Sequence, residues 1–165
     1  MIEIAGVHSQ LNEFNEAESY FLRALKITEN FSENEPSYIA FVMIKIAQFY
    51  SKFNKYMEAE MLLIRTVDIL QKIYEPNDYK LGTTLCELAA VKCNLSKYIE
   101  AELLYEKSLK IFGVTQKTLK DSFRPGQVIS YIKNYRDMLK KTGKNKKAEK
   151  MQRVLAKLYQ NYIQY

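Results

Sequence analysis

Tryptophan is absent from this 165-residue chain, histidine occurs once, cysteine twice, proline three times and glycine five times. Each shortage excludes something. Five scattered glycines leave no Gly-rich loop to cradle a phosphate. A lone His8, with no cysteine, serine or second histidine arranged around it, forms neither a metal set nor a nucleophile–base pair, so a structural role is expected. Cys86 and Cys93 stand seven residues apart on one predicted helix, about 10.5 Å along its axis. That is too far for a disulfide and unlike a CxxC metal motif, so both read as small residues on a packed or grooved face. No apolar run approaches the roughly 20 residues that a membrane-crossing helix needs. The opening MIEIAGVHSQ lacks the basic and apolar stretches of a secretory leader. Few cysteines and no leader give a reducing, cytoplasmic location as the expectation. No segment alternates with the period of two that marks a strand.

Acidic residues are scarce at one end. Residues 1–114 carry 12 Lys/Arg against 16 Asp/Glu, whereas residues 115–165 carry 13 against 3. A mildly acidic body thus leads into a basic end, densest at KKTGKNKKAEK, from Lys140 to Lys150. Such a stretch attracts phosphates or acidic partners, or is simply a solvated lysine-rich surface. Nucleic acid is disfavoured as the partner, because helical arrays that read RNA do so through regular base-reading positions that are missing here.

What the chain has in abundance is repetition. NEAESYFLRAL, MEAEMLLIRTV and IEAELLYEKSL begin at Asn15, Met57 and Ile99, and their alanines Ala17, Ala59 and Ala101 recur every 42 residues. Upstream, Ile4-Ala5, Ile46-Ala47 and Leu88-Ala89 keep the same period; Phe14, Tyr56 and Tyr98 precede each phrase, and Ile27, Ile69 and Ile111 close it. Each unit therefore holds two amphipathic helices joined by a short polar turn, such as Asn54-Lys55 or Ser96-Lys97. All three prolines, Pro36, Pro76 and Pro125, fall between units. The pattern predicts helices at about 1–11, 14–30, 36–53, 56–74, 78–95, 98–112, 125–141 and 145–163. A fourth unit is displaced. Ala148 lies 47 residues after Ala101, which implies a five-residue insertion between Ile111 and Val128. The glutamates of each Glu-Ala-Glu phrase fall in the first turn of a helix, where they complement its dipole; a repeated pair does not point to acid–base catalysis.

IAQFYSKFNKYMEAE and LAAVKCNLSKYIEAE resemble tetratricopeptide repeats in their longer, 42-residue form, as found in kinesin light chains and similar bacterial repeat proteins. YIKNYRDMLKKTGKNKKAEKM, with its turn glycine Gly143, resembles a terminal repeat of that family. The resemblance implies an all-α fold, a right-handed α-solenoid of antiparallel helix pairs. Residues 1–165 are then a single array with units at 1–31, 36–74, 78–112 and 125–163 and an insertion at 113–124. Alanines twelve residues apart (Ala5 with Ala17, Ala47 with Ala59, Ala89 with Ala101) let the two helices of a pair approach closely. Two positions depart from the pattern: Arg136 stands opposite Ala148 where alanine is expected, and Lys92 replaces the aromatic seen as Tyr50. The first unit looks shortened, and Ile2 and Ile4 make a poor cap for an array end. The expectation is a fragment of a longer array or an end covered by another chain.

The resemblance also implies that the first helix of each unit lines a concave surface where ligands lie. That assigns Phe41, Lys45, Gln48 and Lys52 from the second unit, Thr83, Glu87, Ala90 and Asn94 from the third, and Ser130, Lys133, Asn134, Asp137 and Lys141 from the fourth. Within each row the spacing of three or four places the residues on one helix face. Lysines predominate, so the implied partner is an extended acidic peptide, held by lysines and by Asn94 and Asn134 bonding to its backbone. The reading is a binding module or adaptor, not an enzyme, with no cofactor and no metal. The alternative is a structural array that self-associates by stacking its N-terminal end on another chain.

Overall fold

The computed structural model describes residues 1–31, 35–114 and 125–163. Among these, all regular structure is helical: α1 (Ile2–Gln10), α2 (Phe14–Phe31), α3 (Pro36–Lys52), α4 (Tyr56–Ile73), α5 (Tyr79–Asn94), α6 (Tyr98–Ile111), α7 (Pro125–Lys141) and α8 (Asn145–Ile163). These bounds agree with the 42-residue pattern to within one or two residues. Residues 115–124, most of the expected insertion, lie outside the described residues.

One local device ends the first helix of every pair. Asn12, Asn54, Ser96 and Gly143 occupy the same register position, and all four have left-handed backbone, with φ of 62°, 60°, 60° and 74°. The next residue in each turn then sends its N–H back to a carbonyl five positions earlier: Glu13 to His8 (3.0 Å), Lys55 to Tyr50 (2.9 Å), Lys97 to Lys92 (2.9 Å) and Lys144 to Leu139 (2.8 Å). This Schellman closure satisfies carbonyls that the helix end would orphan and reverses the chain within a few residues. Entry into the first helices differs from pair to pair. Pro36 opens α3 at a position that needs no N–H donor, while the Asp78 carboxylate accepts the Lys80 N–H at 2.7 Å to cap α5.

The chain forms two compact units, residues 1–75 and 76–165. In the first, α1 pairs with α2 and α3 with α4, and α2 packs on α3. Ala5, Ala17, Ala47 and Ala59 are all buried, as close approach of paired helices requires, and Phe21, Val42, Met43, Ile46 and Leu63 fill the space around them. An aromatic cluster closes the α2–α3 contact, with Phe14 and Phe21 each about 5 Å from Phe49.

In the second unit α5 pairs with α6 and α7 with α8, around one core containing Cys86, Ala89, Ala101, Tyr105, Phe112, Val128, Ile132, Leu139, Ala148 and Leu155. Gly82 makes a particular contact here. A Cβ at this position would lie 2.6 Å from the buried Phe112 ring, so the missing side chain is what seats that ring on α5. Cys86 is part of the core. Its sulfur lies 2.8 Å from the Ser108 hydroxyl, which donates to the Gly82 carbonyl at 2.8 Å. Burial pushes the Cys86 thiol up to about 12 and the Cys93 thiol to about 11, so both are poor nucleophiles.

The two departures from the pattern are accommodated by charge pairing. Lys92 is buried along its stem and places its ammonium 2.6 Å from Glu100. Arg136, with its side chain 19% exposed, reaches across its pair: its guanidinium donates to Gln152 on α8 at 2.9 Å and holds Asp137 at 2.7 Å.

Candidate ligand-binding surface

All thirteen residues assigned to the first-helix rows are partly or fully exposed. The first unit carries the α3 row. Tyr38 stacks on Phe41 at 6.1 Å, and the Lys45 ammonium sits 5.6 Å from the Phe41 ring, a cation–π arrangement. Gln48 is exposed one turn further on. Lys52 ends the row, 5.2 Å over the Phe53 ring, and donates a hydrogen bond to the Ser9 carbonyl at the end of α1. It therefore also caps that helix, a structural duty that spacing alone did not reveal. Beside this row opens a cleft of about 380 Å³, walled by Ile2, Ile27, Tyr38 and Phe41 among others.

The second unit carries the α5 and α7 rows. Thr83 donates to the Lys80 carbonyl at 2.9 Å, and Asn94 donates to the Ala90 carbonyl at 3.0 Å, so part of the hydrogen-bonding capacity of each serves its own helix. Glu87 is half-buried and its charge helps raise the Tyr131 phenol, after burial itself. On α7, Ser130, Lys133, Asn134 and Asp137 are exposed. Lys133 lies 5.4 Å over Tyr159, and Asp137 is held by Arg136. Lys141 lies 5.3 Å from the Tyr98 ring, and its hydrogen bond with the phenol lowers the Tyr98 pKa and raises its own.

The second glutamate of the first and third Glu-Ala-Glu phrases does more than complement a helix dipole. Glu18 reaches Lys55 at 3.7 Å, and Glu102, buried at 7% exposure, accepts from Lys144 and, at 2.5 Å, from Lys147; Lys147 also holds Glu106 at 2.9 Å. Burial alone would raise Glu102, yet the two lysine hydrogen bonds and charges hold it below the usual carboxylate range. The turn lysine of one pair thus clasps the acid of the pair before it. The signal was present in the sequence: Lys55 and Lys144 share one register position. These clasps also shrink the basic stretch, since Lys144 and Lys147 are committed to internal carboxylates. Lys140, Lys141, Lys146 and Lys150 of that stretch are exposed as well.

Comparison with known proteins agrees with this architecture. Two family models, each described as tetratricopeptide repeat, match residues 1–30 and 38–113. The chain belongs to the tetratricopeptide-repeat family. Repeats of this family are in general protein–protein interaction modules. No curated protein matches the chain. Among solved structures, the nearly identical TPR-like repeats of a putative kinesin light chain from Podosopora anserina superpose with a TM-score of 0.61 at 14% identity, covering 98% of this chain and 94% of that one. BtubC (BKLC) from P. vanneervenii gives 0.60 at 16% identity, covering 98% of this chain and 79% of that one. At such identity the likeness concerns the fold of these repeats. Among the described residues no group of side chains is arranged to hold a metal ion, and no helix is long and apolar enough to cross a membrane.

Proposed function

We propose that this tetratricopeptide-repeat chain is an adaptor that holds an extended, acidic peptide on the first-helix rows within its compact units and performs no chemistry. The observation that carries the reading is the α3 row, where Lys45 and Lys52 flank exposed Gln48 beside the apolar cleft at Tyr38 and Phe41. A carboxylate of the peptide meets the lysines while a neighbouring apolar side chain enters the cleft. In the second unit Lys133 and Lys141 play the same part, and Asn134 bonds to the peptide backbone. A rigid helical scaffold presents these groups ready-made, so affinity rests on a few anchors rather than on total area. A reducing, cytoplasmic setting suits the two free thiols.

Short fluorescein-labelled peptides that alternate apolar and acidic residues, compared by anisotropy with versions carrying lysine for each acid, test the reading. The acidic set should bind more tightly, and Lys45→Glu should weaken it about tenfold. Equal binding of both sets, or no effect of Lys45→Glu, would overturn the assignment.

A second reading is favoured by one observation. Ile4 and Val7 of α1 and Leu11 just after it are 47%, 54% and 62% exposed, an apolar face suited to receive another chain.

A further inference from the structure

We infer that the exposed face of α1 docks a basic amphipathic helix of another protein chain; this rests on the reading of α1 as a face that receives another chain and names what fits it. The repeat register shows what such a face is built to hold. Ile4 and Val7 correspond to Ile46 and Phe49 of α3 and, past the five-residue shift, to Tyr135 and Met138 of α7. Those four residues are no more than 5% exposed. In each unit the second helix of the preceding pair lies over them. Phe14 and Phe21 of α2 contact Phe49 with ring centroids 5.0 and 5.1 Å apart, and Tyr105 of α6 stacks on Tyr135 at 5.1 Å. Both covering helices carry aromatic residues seven apart, Phe14 with Phe21 and Tyr98 with Tyr105. The α1 face is the same kind of surface without its covering helix.

Charge decides what kind of helix fits. In both covered interfaces the acid four residues after the first aromatic, Glu18 or Glu102, meets the turn lysine that follows the covered helix, Lys55 or Lys144. The corresponding turn residue beside α1 is Glu13, whose side chain is 46% exposed and lies 2.5 Å from the His8 ring. The sign is inverted. A helix with the usual Glu-Ala-Glu phrase would set a carboxylate against Glu13.

A second copy fits no better. At the same three positions its last helix, α8, offers Asn145, Glu149 and Gln152, which are polar and again acidic at the critical place. Two α1 faces brought together would oppose Glu3 and Glu13 of each copy, while Lys52, the lysine shown at the end of this helix, is engaged with the Ser9 carbonyl. The fitting occupant carries large apolar residues at i and i+7 and Lys or Arg at i+4.

The full chain titrated into two fluorescein-labelled peptides tests this. One is FNEAESYFLRALKITEN, residues 14–30 of the chain itself; the other is that peptide with Glu18→Lys. The lysine form should bind about fivefold more tightly, and Glu13→Lys in the chain should reverse the order. Equal affinities that Val7→Asp abolishes would keep α1 as a docking face but overturn the basic helix as its occupant. No saturable binding of either peptide to a chain with intact helical circular dichroism would overturn both. A dimer in sedimentation velocity that Val7→Asp dissolves would also overturn the proposal, by making a second copy the occupant.

Discussion

Glu102 shows how much a single side chain can join. It lies buried at the start of α6, and the two lysines that neutralise it come from the turn before α8 and from α8 itself. Because its folded pKa is depressed, its contribution to stability is fully present above the ordinary carboxylate value and is lost as pH falls through the native value. Both lysines are about half exposed, so solvent screening limits the effect to about 1 kcal/mol. Glu102→Gln should therefore unfold at lower urea than the native chain at pH 7, and the gap should close as pH is lowered from about 5 towards 3. A gap that persists unchanged at the acid end would show that the carboxylate's charge is not what matters. Raised thiol pKa values at Cys86 and Cys93 and the Gly82–Phe112 contact belong to this scale too. They explain why these small residues sit where they do, and none points to chemistry.

At the scale of the helix pair, the repeated turn is the controlling device. Its left-handed position is filled by Asn, Asn, Ser and Gly in succession, and serine tolerates that backbone least well. Ser96→Gly should relieve about 1–2 kcal/mol of backbone strain. It should lose part of this to the greater freedom of glycine in the unfolded chain, for a net gain of about 0.5 kcal/mol seen as a higher urea midpoint. The helices and their alanine contacts were legible because the 42-residue period shows both. The clasp between Glu18 and Lys55, or Glu102 and Lys144, was not read, because it joins residues from successive pairs and appears only when the turn lysine is followed in register. Arg136 was anomalous by sequence alone. Its partner Gln152 lies sixteen residues away on the facing helix, a pairing that helix spacing cannot show. The helix-capping duty of Lys52 was hidden for the same reason, since its acceptor lies 43 residues earlier.

For the whole molecule, the two compact units each offer exposed first-helix rows that carry lysines. Lys45, Lys52, Lys133 and Lys141 each lie over an aromatic ring, which orders the cation without neutralising it. By contrast Lys144 and Lys147, in the stretch densest in charge, are spent on internal carboxylates. Charge counted along the sequence does not show that two lysines of the basic end are paired internally. The most direct measurement is an amide chemical-shift map of the full chain titrated with an acidic peptide of alternating apolar residues. Shifts should concentrate on residues 38–52 of α3 and 130–141 of α7. Saturable shifts confined to α4, α6 or α8, with α3 and α7 silent, would contradict a peptide-binding role for the first helices.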